Sequence, residues 1–357
     1  MVFVVRQTYN HSMNTQLDQK INKPFAPHRW VRAGHIQTLL ARYQPRYLGK
    51  TQGEYPLLLD AGPDVTGYAP EHPVRLLGYY TPNATANPSR GLVLTLHGWE
   101  GCSHSTYNLL ITHALTAAGY DVFRLNLRDH GPGIHVNPYA LNPGLFLGTL
   151  LDEAATAVQR VAEMAGEQPF YLVGASMGGN FALRLAARHR YTPFHHLQKV
   201  IAFNPAINPA TATAAIDRQR LFRQYFRKRW FSSLRAKQAL FPHLYNFDPL
   251  AQIPLITDMT EWLVQHYGGY YGGFSSAAAY FNAYAVQDDA FGALNVPTTI
   301  ITARNDPVIP SSDFAKLTPH PLLDVQIHPS GGHVGFVDIF PLEHKLPGLL
   351  LDELRAT

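Results

Sequence analysis

From about Gly91 onward, short runs of apolar and β-branched residues alternate with longer segments in which apolar residues recur every three to four positions. The short runs predict strands at 92–96, 122–126, 170–173, 200–203, 298–302 and 324–327. The longer segments predict helices at about 106–118, 145–164 and 177–189. Because parallel strands need a long crossover to return to the same end, this alternation predicts a mostly parallel, doubly wound sheet with helices on both faces.

Two regions depart from this rhythm. The run Val74–Tyr80 predicts a strand of an antiparallel start that precedes the alternation. Later, about 90 residues lack the strand and helix pattern, and a block of that length predicts an inserted helical cap. We therefore divide the chain into an N-terminal extension with the first strands (1–90), a core in two parts (91–204 and 295–357) and a helical cap insertion (205–294).

Composition excludes several classes of protein. With 46% hydrophobic and 15% charged residues over 357 positions, the chain is globular rather than disordered. Its one cysteine, Cys102, cannot form an internal disulfide or build a structural zinc finger. Met1–Lys20 shows no sustained apolar segment with a cleavage site, and no run approaches the roughly 18 apolar residues of a spanning helix. These features predict a cytoplasmic protein.

The net charge of +4 is concentrated in one segment. Asp217–Lys237 contains eight basic residues and one acidic residue, whereas acidic residues outnumber basic ones by three elsewhere. A general basic surface for nucleic acid is therefore not predicted. Apolar residues in this segment recur at helical spacing: Leu221, Phe222, Tyr225, Phe226, Trp230 and Leu234. One interpretation is a cap helix packed over the site with solvated arginines, and the other is a lid that docks on anionic lipid surfaces.

The strongest chemical signal is Gly174-Ala175-Ser176-Met177-Gly178, which lies between a predicted strand and a predicted helix. A serine on such a sharp turn has strained backbone angles and needs very small residues two positions away on either side. This pattern predicts Ser176 as a nucleophile whose hydroxyl is exposed above the sheet edge. The N–H of Met177, at the start of the helix, is a candidate donor to a developing oxyanion.

A serine nucleophile needs a base and a carboxylate, in the chain order serine, acid, histidine for this type of fold. His333 lies in a glycine-rich loop after the last predicted strand, and Asp306 follows the strand before it. We therefore predict His333 as the base and Asp306 as the acid. Their rivals are His328, expected to be structural or exposed, Asp313, expected to cap a helix, and Asp338, expected to be a satisfied loop carboxylate.

A second oxyanion donor is expected from the loop after an earlier strand. His97-Gly98-Trp99 follows the strand at 92–96, and the N–H of Trp99 is the candidate. His97 itself is expected to be a structural residue beneath the oxyanion site. Cys102 is expected to pack or to cap a helix rather than to act as a nucleophile.

With these residues identified, the chain resembles the α/β-hydrolases and, within them, the YheT-like branch. The narrower resemblance rests on ordered motifs: Pro27–Trp30 with Gly34–Thr38, His97–Ser105, Gly174–Asn180, Asn305–Pro307 and Gly331–Phe336. It implies cleavage of carboxylic esters, including lipid-like ones, by Ser176, Asp306 and His333 without a cofactor. Trp99 and Cys102 depart from the smaller residues common at these positions in the family.

Several alternatives use the same residues. Thioester hydrolysis and acyl transfer to an alcohol would both employ this triad. A non-catalytic binding protein is disfavoured because such proteins usually lack at least one triad residue, and all three are present here. Metal catalysis has no support from an H-E-x-x-H motif or a clustered run of ligands. Because the resemblance implies cleavage of carboxylic esters, a small-molecule ester is the expected partner.

Overall fold

The computed structural model describes residues 24–48, 53–85, 87–269, 272–286 and 289–356. Met1–Lys20, for which no secretion signal is predicted, lies outside these residues. None of the helices in the described ranges combines the length and the apolar character that a membrane crossing requires.

An eight-stranded sheet organises the described part of the chain, in the spatial order β1-β2-β4-β3-β5-β6-β7-β8. Its strands are β1 (Tyr55–Pro63), β2 (Pro73–Thr81), β3 (Leu92–Leu96), β4 (Asp121–Leu125), β5 (Phe170–Ala175), β6 (Leu197–Phe203), β7 (Thr298–Ala303) and β8 (Leu323–His328). Strand β2 pairs antiparallel with β1 and β4, and all other neighbours are parallel. The predicted mostly parallel sheet with an antiparallel start is therefore confirmed. A short hairpin follows, with β9 (Val337–Asp338) and β10 (Glu343–His344).

Helices cover both faces of the sheet. In chain order they are α1 (Gly34–Leu40), α2 (Thr106–Ala117), α3 (Leu151–Met164), α4 (Met177–His189), α5 (Pro209–Arg218), α6 (Arg220–Leu240), α7 (Ile256–His266), α8 (Ala277–Ala283) and α9 (Leu346–Arg355). Leu94 of β3 packs with residues of α3 and α4, and Val93 on the opposite face packs with residues of α2 and α9. Burial on both faces explains why the central strands are continuous apolar runs rather than alternating ones.

The helix predicted from residue 145 begins only at Leu151. Leu145 and Leu147 are buried in an apolar cluster with residues of α6, α7 and α8. Gly148 donates its N–H to the hydroxyl of Tyr280 at 2.9 Å and accepts from Arg184 at 2.7 Å. These tertiary contacts hold 145–150 as a loop although its apolar spacing is typical of a helix.

The predicted apolar face of α6 is mostly correct. Phe222 and Leu234 are buried, and Phe226 and Trp230 are packed against the core. Leu221, however, is 75% exposed, so its assignment to the packed face was wrong. It lies one position before Phe222, a rotation that turns it toward solvent.

Most basic residues of this segment are exposed, as the first interpretation predicts, but several also bind other groups of the chain. Lys237 is buried, and its Nζ lies 2.7 Å from Oδ1 of Asp129 in the loop after β4. Four arginines also bind protein groups: Arg223 the carbonyl of Asp217, Arg227 that of Ile253, Arg229 that of Glu100, and Arg235 the carboxylate of Asp248. Of the eight basic residues in Asp217–Lys237, three are exposed and have no such contact among the described residues: Arg218, Arg220 and Lys228. Most of the positive charge therefore attaches α6 to its own chain.

Glu100 joins the loop after β3 to α6. Its Oε2 accepts a hydrogen bond from Oγ of Ser233 at 2.7 Å, and that Oγ accepts from the hydroxyl of Tyr139 at 2.8 Å. Burial raises the pKa of the Glu100 carboxyl from 4.5 to about 7. The folded state therefore favours the protonated form of this group.

Glu100→Gln should change how stability depends on pH. The pKa of Glu100 is higher in the folded than in the unfolded chain, so its stabilising contribution is complete below about pH 4.5 and is lost as the pH rises through 7. Relative to the Gln variant, the free energy of unfolding of the wild type should fall on the order of 2 kcal/mol from pH 5 to pH 8. Urea unfolding of both proteins at several pH values measures this difference.

Glu163→Gln, on the exposed surface of α3, serves as the matched control for that series. It makes the same change of side chain at a position without burial. A difference from the wild type that does not vary with pH for Glu100→Gln would contradict the burial argument.

Candidate active site

Ser176 occupies the sharp turn between β5 and α4. Its φ of 55° and ψ of −117° form a backbone conformation that residues with a Cβ rarely adopt. Its N–H donates to the carbonyl of Phe203 in β6 at 2.9 Å, and its carbonyl accepts the N–H of Asn180 in α4 at 3.0 Å. The sheet and the helix thus hold the strained residue from both sides.

Glycines next to Ser176 permit this turn. A Cβ on Gly174 would lie 2.7 Å from the backbone nitrogen of Gly179. A Cβ on Gly178 would collide with the carbonyl oxygen of His97. The small residues that the sequence places around the serine are therefore required by close backbone packing.

His333 lies in the loop after β8, where Gly331 and Gly332 adopt φ values of 155° and 58°. Its Nε2 is 3.0 Å from Oγ of Ser176, and its Nδ1 is 2.9 Å from Oδ2 of Asp306. Because an ionised carboxylate only accepts, Nδ1 carries the proton of the neutral ring and Nε2 offers its lone pair to the serine hydroxyl. The imidazole side chain is 11% exposed, so a substrate can reach it.

Asp306 follows β7 and its side chain is fully buried. Oδ1 accepts the N–H groups of Val308 at 2.7 Å and Ile309 at 3.0 Å. Oδ2 accepts from His333 and from Nδ2 of Asn204, the latter at 2.8 Å. Four hydrogen bonds therefore fix the orientation of this carboxylate against the imidazole.

Asn204 is a site residue that the sequence analysis missed. It follows β6 with a φ of 44° and is fully buried. Besides its bond to Asp306, its Nδ2 donates to the carbonyl of Gly332 at 3.0 Å, and its Oδ1 accepts the N–H of Val334 at 3.2 Å. One side chain thus connects the ends of three neighbouring strands. An asparagine directly after a predicted strand, at the edge where ligands bind, was the available signal.

The N-terminal helix α1 supports the loop that carries His333. The hydroxyl of Thr38 accepts the N–H of His333 at 2.9 Å. Gln37 is fully buried, and its amide donates to the carbonyl of Val337 at 2.7 Å and accepts the N–H of the same residue at 2.8 Å. Gly34 packs so closely on Asn305 that a Cβ would overlap the carbonyl there. The motif Gly34–Thr38 is therefore a structural support for the candidate site.

His97 fixes the peptide unit between Gly98 and Trp99. Its Nε2 accepts the N–H of Leu127 at 3.0 Å, so Nδ1 carries the proton and donates to the carbonyl of Gly98 at 2.8 Å. Burial lowers the pKa of His97 to about 3, which keeps the ring neutral. Since C=O and N–H of a trans peptide point in opposite directions, the N–H of Trp99 points away from His97. A Cβ on Gly98 would lie 3.1 Å from Cβ of Ser176, so this backbone runs beside the serine.

Met177 is the first residue of α4, directly after Ser176. Its N–H is one of the first N–H groups of the helix, which have no partner within the helix. The two N–H groups that the sequence singles out, those of Met177 and Trp99, thus belong to two backbone segments that adjoin Ser176.

Two carboxylates that rivalled Asp306 are engaged elsewhere. Asp313 lies inside the 3-10 helix Ser311–Lys316 and accepts from the hydroxyl of Thr211 at 2.5 Å, so the predicted N-cap role was wrong. Asp338 accepts the N–H of His28 at 2.8 Å, which confirms it as a satisfied carboxylate.

His328 and Cys102 also have other surroundings. His328 is buried, accepts the N–H of Phe25 at 2.9 Å, and has its pKa lowered to about 4 by burial. Cys102 precedes α2, but Ser105 occupies the cap position of that helix. The thiol instead belongs to the wall of the cavity beside Ser176, where burial raises its pKa and disfavours the thiolate.

A cavity of about 380 Å³ opens beside Ser176 and His333. Trp99 lines it and also lines a second, smaller cavity of about 60 Å³ behind Met177. The Trp99 ring stacks on Phe226 with 5.6 Å between centroids and meets the edge of Trp230 at 5.2 Å. These three aromatic rings form a wall between the loop after β3 and helix α6.

The chain is similar to known proteins in sequence and in fold. The family model described as alpha/beta hydrolase fold matches residues 91–338. A putative hydrolase from Agrobacterium vitis S4 is similar in structure, with 15% identity, a TM-score of 0.51, and coverage of 85% of this chain and 99% of that chain. An esterase from Pyrococcus furiosus has 15% identity and a TM-score of 0.50, covering 88% of this chain and 94% of its own.

At this level of identity the solved structures are evidence of the fold. No curated protein sequence matches the chain. The narrower resemblance to the YheT-like branch stays a prediction. The family model covers well over half of the chain, and the sheet has the matching topology. The chain therefore belongs to the alpha/beta hydrolase fold family.

Proposed function

We propose that this protein is a serine hydrolase that cleaves carboxylic esters through an acyl-enzyme. The observation that carries the proposal is the continuous hydrogen-bonded chain from Oγ of Ser176 through His333 to the buried Asp306, with links of 3.0 and 2.9 Å. A hydroxyl, an imidazole and a carboxylate in this order generate a nucleophile from serine.

The reaction proceeds in two halves. Oγ of Ser176 attacks the ester carbonyl while Nε2 of His333 takes the hydroxyl proton. The tetrahedral intermediate collapses, His333 gives that proton to the departing alcohol, and the acyl group stays on the serine. Water then attacks the acyl-enzyme, His333 takes a proton from it, and the acid leaves as Ser176 regains its hydrogen.

Two groups assist the base without exchanging protons. Asp306 holds the Nδ1–H tautomer and stabilises the imidazolium that forms. Asn204 acts through Asp306 and the His333 loop, and it is a positioning residue. Its hydrogen bonds to Asp306, Gly332 and Val334 hold the ends of these strands in place while charge moves onto the ring.

The oxyanion is stabilised by the N–H groups of Met177 and Trp99. The first lies at the positive end of α4, directly after the nucleophile. The second is turned away from His97 by the hydrogen bond to the carbonyl of Gly98. A donor of this kind is typically worth about 3 kcal/mol in the transition state.

An ester is the substrate class that the observations favour. The resemblance to the YheT-like branch implies esterases and acylglycerol lipases, and one of the similar solved structures is described as an esterase. The aromatic wall formed by Trp99, Phe226 and Trp230 offers an apolar surface for the acyl chain or the alcohol of a lipid-like ester.

Ser176→Ala should abolish hydrolysis of 4-nitrophenyl esters from acetyl to palmitoyl, with a fall in kcat of at least about 10⁴-fold. The variant removes the only atom that forms the acyl bond. Labelling of the protein by a fluorophosphonate probe should disappear together with activity. Urea unfolding of the variant verifies that it is folded. A folded wild type that neither turns over nor takes the label would favour a non-catalytic binding protein instead.

Asp306→Asn should reduce kcat by about 10³- to 10⁴-fold, because an amide can stabilise the wrong tautomer of His333 and cannot stabilise its cation. Asp338→Asn is the matched control: it is also an aspartate that accepts backbone N–H bonds near this loop, yet it does not contact His333. Its kcat should stay within about twofold of the wild type. Equal losses in the two variants would place Asp306 outside the catalytic machinery.

A further inference from the structure

Two arginines that take no part in the chemistry line the cavity beside Ser176. Arg42 follows α1, and Arg229 belongs to α6, so they come from segments far apart in the chain. Both guanidinium groups lie against the ring of Tyr225, at 4.4 Å and 5.8 Å from its centroid. Two positive charges therefore contact the same ring and line the cavity that contains the candidate nucleophile.

The contact with Tyr225 orients these guanidinium groups and leaves donors available. A guanidinium that lies against a ring has five N–H donors in its own plane. Nη2 of Arg229 donates to the carbonyl of Glu100 at 2.6 Å, a neutral acceptor. Within the part of the chain that the structure describes, neither arginine forms an ion pair with a carboxylate, unlike Lys237 and Arg235 of the same helix.

The acidic groups nearby offset only part of this charge. Glu100 lines the same cavity, but its carboxyl accepts from Ser233, and burial raises its pKa to about 7. Asp306 is fully buried behind His333 with its own four hydrogen bonds. The cavity wall that faces a substrate therefore carries net positive charge.

We propose that this cavity selects esters that carry an anionic group, a carboxylate or a phosphate, bound by Arg42 and Arg229. The inference rests on the proposed ester hydrolysis and specifies its substrate class. Guanidinium groups bind paired anionic oxygens through parallel N–H donors, which gives both strength and geometric specificity. Contact with the ring of Tyr225 reduces the ordering cost of two long side chains.

The first test compares 4-nitrophenyl butyrate with the 4-nitrophenyl monoester of glutaric acid. The two share a leaving group and differ mainly by a terminal carboxylate on the acyl chain. For the wild type, kcat/KM should be at least about tenfold higher for the anionic ester, and the ratio should fall as NaCl is raised to 0.5 M. Arg42→Gln and Arg229→Gln should each lower the ratio by about fivefold or more.

Lys228→Gln is the matched control, because Lys228 is exposed on α6 next to Arg229 but does not line the cavity. It should leave both kcat/KM values as in the wild type. Arg42→Lys and Arg229→Lys keep the charge without the planar fork, and they should retain part of the preference. If the ratio of kcat/KM for the anionic ester to kcat/KM for the neutral ester is the same in Lys228→Gln, Arg42→Gln and Arg229→Gln, the arginines do not bind the anionic group and the proposal is overturned.

A second pair of substrates moves the anion to the alcohol. Glycerol monobutyrate is compared with the butanoyl ester of glycerol 3-phosphate, which carries a phosphate. An arginine-dependent preference in either pair supports the proposal and identifies which half of the ester the arginines bind. Hydrolysis of the neutral esters by Ser176 without preference in either pair would overturn this inference and leave the esterase proposal intact. Absence of all hydrolysis and of fluorophosphonate labelling in folded protein would overturn both.

Discussion

The hydrogen bond between Nδ1 of His333 and the carboxylate of Asp306 determines what the rest of the candidate site can do. It sets the tautomer that leaves a lone pair opposite Ser176. That bond is maintained by Asn204, which joins the ends of three adjacent parallel strands. The sheet therefore helps to set the distances between the reacting groups. The buried amide of Asn204 links the strand ends that carry Asp306 and His333.

Helix α6 is attached to the rest of the chain by aromatic packing and by a buried ion pair. Its apolar side places Phe226 and Trp230 against Trp99, and its buried Lys237 pairs with Asp129 at the opposite end. Breaking a buried pair of this kind typically costs about 3 to 5 kcal/mol, so the helix is attached firmly where Lys237 lies. Arg229, nearer the N-terminal end, donates to the neutral carbonyl of Glu100 and forms no ion pair within the part of the chain that the structure describes.

Local constraints made much of the fold and site predictable. β3 coincides with the predicted strand at 92–96, and the turn at Ser176 follows from glycines adjacent in sequence. Asp306 and His333 were found because each follows a strand, and the structure brings them together. Contacts between distant segments were not predictable in this way. The support of the His333 loop by Gln37 joins residues 300 positions apart, and no local pattern indicates it.

Contacts between distant segments also explain where the sequence-based predictions for residues 145–150 and for the basic segment differ from the structure. The spacing of Leu145 to Leu150 is typical of a helix, but burial against α7 and α8 holds it as a loop. The basic run around α6 looks like a solvated face by composition. Its role depends on which carbonyls and carboxylates other segments bring near it, and that information lies outside the run itself.

The bond between Gln37 and Val337 also has a consequence for synthesis of the chain. Helix α1 is made early, yet the loop that it supports contains residues 331–337. Domains fold as units and synthesis proceeds from the N-terminus, so α1 waits through about 300 residues of translation before its hydrogen-bonding partner exists. A chain synthesised only as far as residue 330 therefore contains Ser176 but not His333, its candidate base. We therefore expect Ser176 to become an active nucleophile only after α1 and the loop at 331–337 have come together.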